Sequence, residues 1–198
     1  LFYAIVRKII RVLTPVISHC KEPMTGTGIA NILYGMKLLN INDIEVVVLW
    51  NIVIHFLTQC NQQLQYNNKM YKLKAGEVSI ALYGLSNSSA DYAETREILQ
   101  QLVPLLPTDY KYSRNELMNP RLATNLSCMI YGLRLMKSDH NEVQQLIHAV
   151  NPLLAQATMR TAVASHDGRG QVSVRPSVMF NKHHIFMCIV GIQHLTPY

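Results

Sequence analysis

The apolar residues of this chain cluster around a short sequence motif that occurs four times. It reads ILYGM at 32–36, ALYGL at 81–85 and MIYGL at 129–133, with a weaker copy, CIVGI, at 188–192. Apolar residues flank each glycine at spacings of three and four positions, which is the spacing of one face of an α-helix. Repetition at a period of a few tens of residues is typical of stacked-repeat proteins. The pattern therefore predicts four copies of one helix, named here helix A.

A second pattern follows the first three copies in step. Seven residues after the glycine stands Asn or Asp, three residues later stands glutamate, and an apolar run comes next. Asn or Asp followed by glutamate at the third helical position resembles a capping box, and the glutamate suits the positive end of the helix dipole. Each of the first three copies of helix A is therefore predicted to be followed by a helix B, capped by Asn42, Asp91 and Asp139 in turn.

These two helices define the predicted fold, an all-α α-solenoid of antiparallel helix pairs with about three to four repeats, open at both ends. Residues 1–198 form a single array in this interpretation, with a half repeat near 1–20, units near 26–60, 76–107 and 121–158, and a half repeat near 183–198. The missing initiator Met and the half units suggest a piece of a longer chain. Helices are expected near 1–19, 26–39, 43–59, 76–86, 92–106, 121–137, 140–158 and 183–195. Gly84 and Gly132 are expected to lie buried where helices approach closely.

Composition excludes several classes of protein. The four cysteines are far apart, so neither a zinc site nor a disulfide scaffold is indicated. The most apolar run, 46–57, is too short for a membrane span and carries Asn51 and His55. His183 and His184 lack another histidine one helical turn away, so a metal site with His166 and Asp167 is disfavoured. We expect no enzymatic activity, no cofactor and no metal.

The positive charge of the chain is concentrated between the helix pairs. The net charge is +6, yet the connections 61–75, 108–121 and 159–184 alone carry +7, and the rest of the chain carries −1. Tyrosines 66, 71, 110 and 112 are interleaved with these basic residues. Basic loops with stacking rings are typical of proteins that bind single-stranded RNA. The predicted phosphate contacts are Lys69, Lys72, Lys74, Lys111, Arg114, Arg160, Arg169, Arg175 and Lys182.

A second set of candidates lies on helix A, two residues after each glycine. If helix A lines a concave surface, these side chains could read bases in the groove: Lys37, Ser86, Arg134 and Gln193. An ordinary solvated helix face is the alternative for each. The tyrosines before the glycines are most economically structural, and stacking on bases is their functional alternative.

The segment at 27–36 reads TGIANILYGM, and weaker copies of it stand at 78–85, 126–133 and 185–193. It resembles the octotricopeptide-type helical repeats of organellar RNA-binding proteins and their algal and protist relatives with an "aNaLYGLq" signature. The signature asparagine appears only at Asn31, and the long connections break that family's regular spacing. The resemblance implies an RNA-binding α-solenoid of an organelle. Degenerate repeats with long basic insertions look more like accessory subunits of organellar ribosomes than like readers of one base per repeat.

The function predicted from the sequence is non-catalytic RNA binding, as an accessory subunit of a large ribonucleoprotein such as the mitochondrial ribosome. Its partners would be rRNA or an organellar transcript, together with other protein subunits. A mitochondrial location is expected, with a plastid as the alternative. The competing hypothesis is a protein–protein scaffold subunit of a large organellar complex with no direct RNA contact. An enzyme would need a catalytic domain outside these 198 residues.

Overall fold

Helices form at all eight places where the sequence predicts them. The computed structural model describes residues 2–20, 22, 24–64, 72–107, 111–112, 119, 121–159, 164–166, 172–174 and 182–192. Within these ranges the α-helices are α1 (Phe2–Ser18), α2 (Gly26–Met36), α3 (Ile44–Leu64), α4 (Ala75–Gly84), α5 (Ala93–Leu102), α6 (Arg121–Gly132), α7 (Asn141–Met159) and α8 (Lys182–Ile192). Short 3₁₀ turns, Leu85–Asn87 and Val103–Leu105, extend α4 and α5. The all-α class is therefore confirmed.

One small antiparallel hairpin lies among these helices. Its strands are β1 (Ala164–His166) and β2 (Val172–Val174), with Ser165 opposite Ser173. Three residues per strand are too few to form a layer of their own. The hairpin therefore leaves the helical architecture unchanged.

The starts of the B helices differ from the prediction. Helices α3, α5 and α7 begin two residues after Asn42, Asp91 and Asp139, so none of these three side chains occupies the capping position. The Asp91 carboxylate instead accepts hydrogen bonds from the Lys137 ammonium at 2.8 and 2.9 Å. The glutamates do lie in the first turns, as expected. All three predicted caps were wrong by one position, and at Asp91 a cation of the next unit holds the carboxylate.

The glycine-bearing helices pack against one another in chain order. Helix α2 packs on α4, α4 on α6, and α6 on α8; these four form what we call the A layer. Helices α1, α3, α5 and α7 follow one another in the same way and form the B layer. Apolar residues of both layers share one core, which includes Trp50, Leu82 and Leu146.

Glycine sets the distance between neighbouring A-layer helices. A Cβ atom at Gly84 would overlap the carbonyl oxygen of Leu33, and one at Gly132 would overlap the carbonyl of Leu82. Gly191 meets the carbonyl of Ile130 in the same way. All three glycines are buried, so the predicted close approach at Gly84 and Gly132 is confirmed. Only a residue without a side chain lets one helix rest on the backbone of the previous one.

The longest helix, α3, has 21 residues and a mean hydropathy of 1.4 in its most apolar window, so by length and composition it could cross a membrane. Such a helix is weak evidence for a span, because the core helix of a globular protein passes the same test. Trp50, Val53 and Leu57 of α3 lie in the core shared by the two layers.

Candidate nucleic-acid interface

The A-layer helices run in the same direction and in register. Each buried glycine meets the residue two positions before the glycine of the previous A helix. Near the other end, the Thr27 hydroxyl donates to Glu77 Oε1 at 2.6 Å. Thr124 of α6 corresponds to Thr27, and His184 of α8 corresponds to Glu77. These two side chains lie 3.2 Å apart (Oγ1 to Nε2). The amino ends of all four helices therefore lie along one edge of the layer, named here the amino edge.

The amino edge carries basic side chains that have no partner within the described part of the chain. Lys74 immediately precedes α4, Arg121 begins α6 and Lys182 begins α8. All three are exposed, and none of their charged groups forms a hydrogen bond or ion pair with the described residues. Lys111, also exposed and without such a partner, immediately precedes Tyr112. A helix amino end adds a partial positive charge of its own, so the edge attracts anions.

A groove opens at this edge between α4 and α6. It has a volume of about 400 Å³, and Lys74, Arg121 and Tyr112 are among its lining residues. Amide side chains of Asn119 and Asn125 also line it and can donate or accept hydrogen bonds. Tyr112 is only 5% exposed and packs in the core, so it forms a wall of the groove. Two cations and two amides on one open groove can contact a phosphodiester.

One carboxylate, Glu77, also lines the groove. Its Oε1 accepts from the Thr27 hydroxyl, and its Oε2 accepts from the backbone N–H of Lys74 at 2.8 Å. Both oxygens are thus held by the protein, and the side chain points toward α2 and the start of its own helix. Glu77 ties two neighbouring A helices together and leaves the Lys74 ammonium unpaired.

Lys72 has a structural role that the sequence did not reveal. Its ammonium donates to the carbonyl oxygens of Pro104 and Leu106 at 2.9 and 3.1 Å. These carbonyls belong to the turn that ends α5, where backbone acceptors lack helical partners. Lys72 therefore caps that helix end and is not free to hold a phosphate.

Five other predicted phosphate contacts lie outside the described residues: Lys69, Arg114, Arg160, Arg169 and Arg175.

The predicted groove readers on helix A contact protein instead. Ser86 is fully buried, so its hydroxyl cannot face a ligand. The Arg134 guanidinium donates through Nε to the carbonyl oxygen of Ser86 at 2.7 Å, and its other nitrogens contact Asn87 Oδ1 and the Tyr131 hydroxyl. Asn87 Nδ2 in turn donates to the carbonyl of Lys37 at 2.8 Å. These contacts join three units through Lys37, Asn87 and Arg134, and we call them the polar clamp. The fourth predicted reader, Gln193, lies outside the described residues.

A row of tyrosines lies beside this clamp. The rings of Tyr34 and Tyr83 are stacked with centroids 6.0 Å apart, and Tyr131 follows at 5.8 Å. The Lys37 ammonium lies 3.5 Å from the centre of the Tyr83 ring, a cation–π contact. The tyrosines therefore pack on one another, as the structural interpretation expects, and Tyr34, at the end of the row, remains half exposed.

Cysteine and histidine chemistry is not favoured in the described residues. Burial raises the pKa of the thiols of Cys60, Cys128 and Cys188, which disfavours the nucleophilic thiolate. No group of three or more potential metal ligands comes together in the described ranges. What this part of the molecule offers a ligand is a set of charges and hydrogen-bond donors.

No protein-family model matches the chain, and neither a curated protein nor a solved structure matches it. What the chain binds must therefore follow from the geometry of its own surface.

Proposed function

We propose that the chain is an α-solenoid of antiparallel helix pairs that binds RNA along the amino edge of its A layer. The observation that carries this proposal is the gathering of unpaired cations, Lys74, Arg121 and Lys182, at one edge, with Lys111 exposed next to Tyr112 of the groove. Most other described basic side chains are engaged by the protein. Arg7 and Arg11 pair with Asp43 and Glu45, and Lys137 pairs with Asp91. Apart from Lys8 of α1, the unpaired cations of the described residues lie at or beside the amino edge, and a stripe of cations is what a polyanion contacts.

Single-stranded RNA fits this edge better than a compact anion does. The cations belong to three successive A-layer units, so they follow a line across the layer. A backbone with regularly spaced phosphates can follow such a line, while the amides of Asn119 and Asn125 in the groove can contact its bases. The bound RNA would be held mainly by sequence-independent phosphate contacts.

The resemblance of the Tyr-Gly units to organellar repeat proteins supports a further step. We propose that the chain acts without catalysis as an accessory subunit of an organellar ribonucleoprotein, such as the mitochondrial ribosome. Its partners would be rRNA or a transcript and neighbouring protein subunits. A plastid is the alternative location.

A scaffold function without RNA is the second candidate. It is favoured by the commitment of Lys37, Lys72 and Arg134 to internal contacts. In that case the amino edge would bind acidic protein surfaces instead of phosphates. The salt and sequence dependence of binding distinguishes the two functions. Counterion release from RNA makes the affinity fall steeply as salt rises, with a similar slope for RNA strands of any sequence.

The test removes two cations from the groove. The variant Lys74→Gln/Arg121→Gln should weaken binding to a labelled oligouridylate in fluorescence anisotropy. It should also reduce the slope of log K against log salt by about 1.4, because each lost single-strand phosphate contact contributes about 0.7. The control Lys8→Gln/Arg11→Gln removes the same charge from α1 in the B layer and should change the affinity little. Equal losses in both variants would show that only net charge matters and would refute the proposed interface.

A further inference from the structure

Two of the three pairs of neighbouring A helices share one polar contact at the amino edge. Between α2 and α4, the Thr27 hydroxyl donates to Glu77 Oε1 at 2.6 Å. Between α6 and α8, Thr124 and His184 hold the same two positions and lie 3.2 Å apart. In both pairs a threonine hydroxyl of one helix therefore meets a polar side chain of the next.

The middle pair, α4 and α6, has the second partner without the first. Gly76 holds the threonine position of α4, and Asn125 holds the facing position of α6. The Nδ2 atom of Asn125 lies 3.7 Å from where a Cβ of Gly76 would stand, so these two positions also face each other. The Asn125 amide forms no hydrogen bond with any residue that the structure describes. Glycine thus leaves the polar side chain of α6 in place without the hydroxyl that the other pairs supply.

This difference between the pairs coincides with the groove. Gly76 and Asn125 both line it, together with the unpaired cations Lys74 and Arg121. Asn125 follows Arg121 by four residues in α6, so the two side chains lie on one face of that helix. The Asn125 amide therefore shares the groove with two cations, one from each helix.

These groups together define the chemistry of an occupant. It must offer a hydroxyl to Asn125, as threonine does in the other pairs, and it must bring negative charge to the cations on both sides. In an RNA strand each ribose carries a 2′-hydroxyl and lies between two phosphates, whereas the deoxyribose of DNA has no such hydroxyl. A hydroxyl both donates and accepts, so it can pair with either end of the amide and leave the other end for a base.

We infer that Asn125 binds the ribose 2′-hydroxyl of a nucleotide in this groove and thereby distinguishes RNA from DNA. The inference rests on the proposed function and adds a selectivity that phosphate contacts do not supply, because Lys74 and Arg121 meet the same phosphates in both nucleic acids. One hydrogen bond contributes a factor of about five to an equilibrium constant, so we expect about a fivefold preference for RNA.

The assay compares oligouridylate with oligodeoxyuridylate of the same length by fluorescence anisotropy. The two strands share their base and their phosphates, so the ratio of their affinities reports the 2′-hydroxyl alone. Asn125→Ala should bring this ratio from about five to about one while leaving the affinity for the deoxy strand and the salt slope unchanged. Asn51→Ala removes an exposed amide from α3 in the B layer and should keep the wild-type ratio.

A second variant tests the same contact from the opposite helix. Gly76→Thr supplies the hydroxyl from the protein itself, as in the other two pairs, and its Cβ would meet Asn125 at an ordinary contact distance. Its melting temperature by circular dichroism should be no lower than that of the wild type, and its affinity ratio should also fall to about one.

The outcomes separate this inference from the proposed function. Equal binding of both strands by the wild type, or a preference for RNA that survives in Asn125→Ala, would overturn the 2′-hydroxyl contact and leave RNA binding at the edge intact. Equal losses for both strands in Asn125→Ala would assign the amide to a base and would also overturn the inference. A wild type that binds neither strand would refute the proposed function, and the inference with it.

Discussion

Adding one methyl group at Gly84 tests whether backbone-to-backbone packing holds the A layer together. A Cβ at Gly84 overlaps the carbonyl group of Leu33, and both groups belong to the main chains of packed helices. Neither can turn aside as a flexible side chain could, so α2 and α4 must separate. Overpacking of this kind costs about 1–3 kcal/mol. Replacing Gly by Ala within a helix returns about 1 kcal/mol through propensity.

Gly35→Ala provides the matched reference. Gly35 holds the same position in α2 as Gly84 in α4, and a Cβ there meets nothing within 4 Å. The two variants share the propensity gain, so the difference between them isolates the packing cost, about 1–3 kcal/mol. With a urea m-value of about 2 kcal/mol/M, the unfolding midpoint of Gly84→Ala should lie about 1 M below that of Gly35→Ala.

The assay is urea unfolding followed by circular dichroism at a protein concentration low enough to keep the chain monomeric. Gly35→Ala should unfold at or above the wild-type midpoint, and Gly84→Ala below it. Coincident midpoints for the two variants would refute the close-approach reasoning. An equal m-value in all three proteins is required for the comparison, because a changed slope would mean that cooperativity was lost instead.

Three further predictions concern the polar contacts between units. The Lys137 ammonium, followed by the Ser89 hydroxyl, lowers the pKa of Asp91 from 3.8 to about 2, so its stabilising effect is present above pH 3.8 and is lost as the pH falls toward 2. In Lys137→Gln, NMR titration should find the pKa of Asp91 raised toward its ordinary value, with the Ser89 hydroxyl still holding it below. Arg134→Gln should lower the free energy of unfolding by about 1–3 kcal/mol in urea titrations, because a charged donor to a carbonyl is lost. Lys72→Met should cost about 1 kcal/mol while leaving oligouridylate affinity unchanged, and a loss of affinity like that of Lys74→Gln would contradict the capping role.

Helix positions could be predicted closely because each rests on a local signal. The period of the apolar residues around Gly35, Gly84 and Gly132 identifies the A helices. Each of these three helices ends within about three residues of its Tyr-Gly pair, which is near the scatter expected of any helix boundary. The caps were mispredicted by one position. At Asp91 the carboxylate is held by Lys137, which is 46 residues away. No local pattern contains that contact.

The candidate site shows the same limit. That the connections are basic is visible in the sequence, but which cations remain unpaired is not. Lys72 and Lys74 are two residues apart and look equivalent, yet the first reaches two carbonyls at the end of a B helix while the second faces a groove. Ser86 illustrates the converse error, since its offset from Gly84 predicted exposure and the packing of the turn after α4 buries it completely.

The interior glycines connect the packing of the A layer to its proposed function. Helices that rest on each other's backbones at a fixed residue stay in register, and register is what places every amino end at the same edge. A larger residue at Gly132 would space α4 and α6 farther apart and would widen the groove between Lys74 and Arg121. A sliding helix would also break the bond from Thr27 to Glu77 and release that carboxylate toward the Lys74 ammonium. The arrangement of charges at the amino edge therefore depends on buried glycines that carry no charge and no side chain.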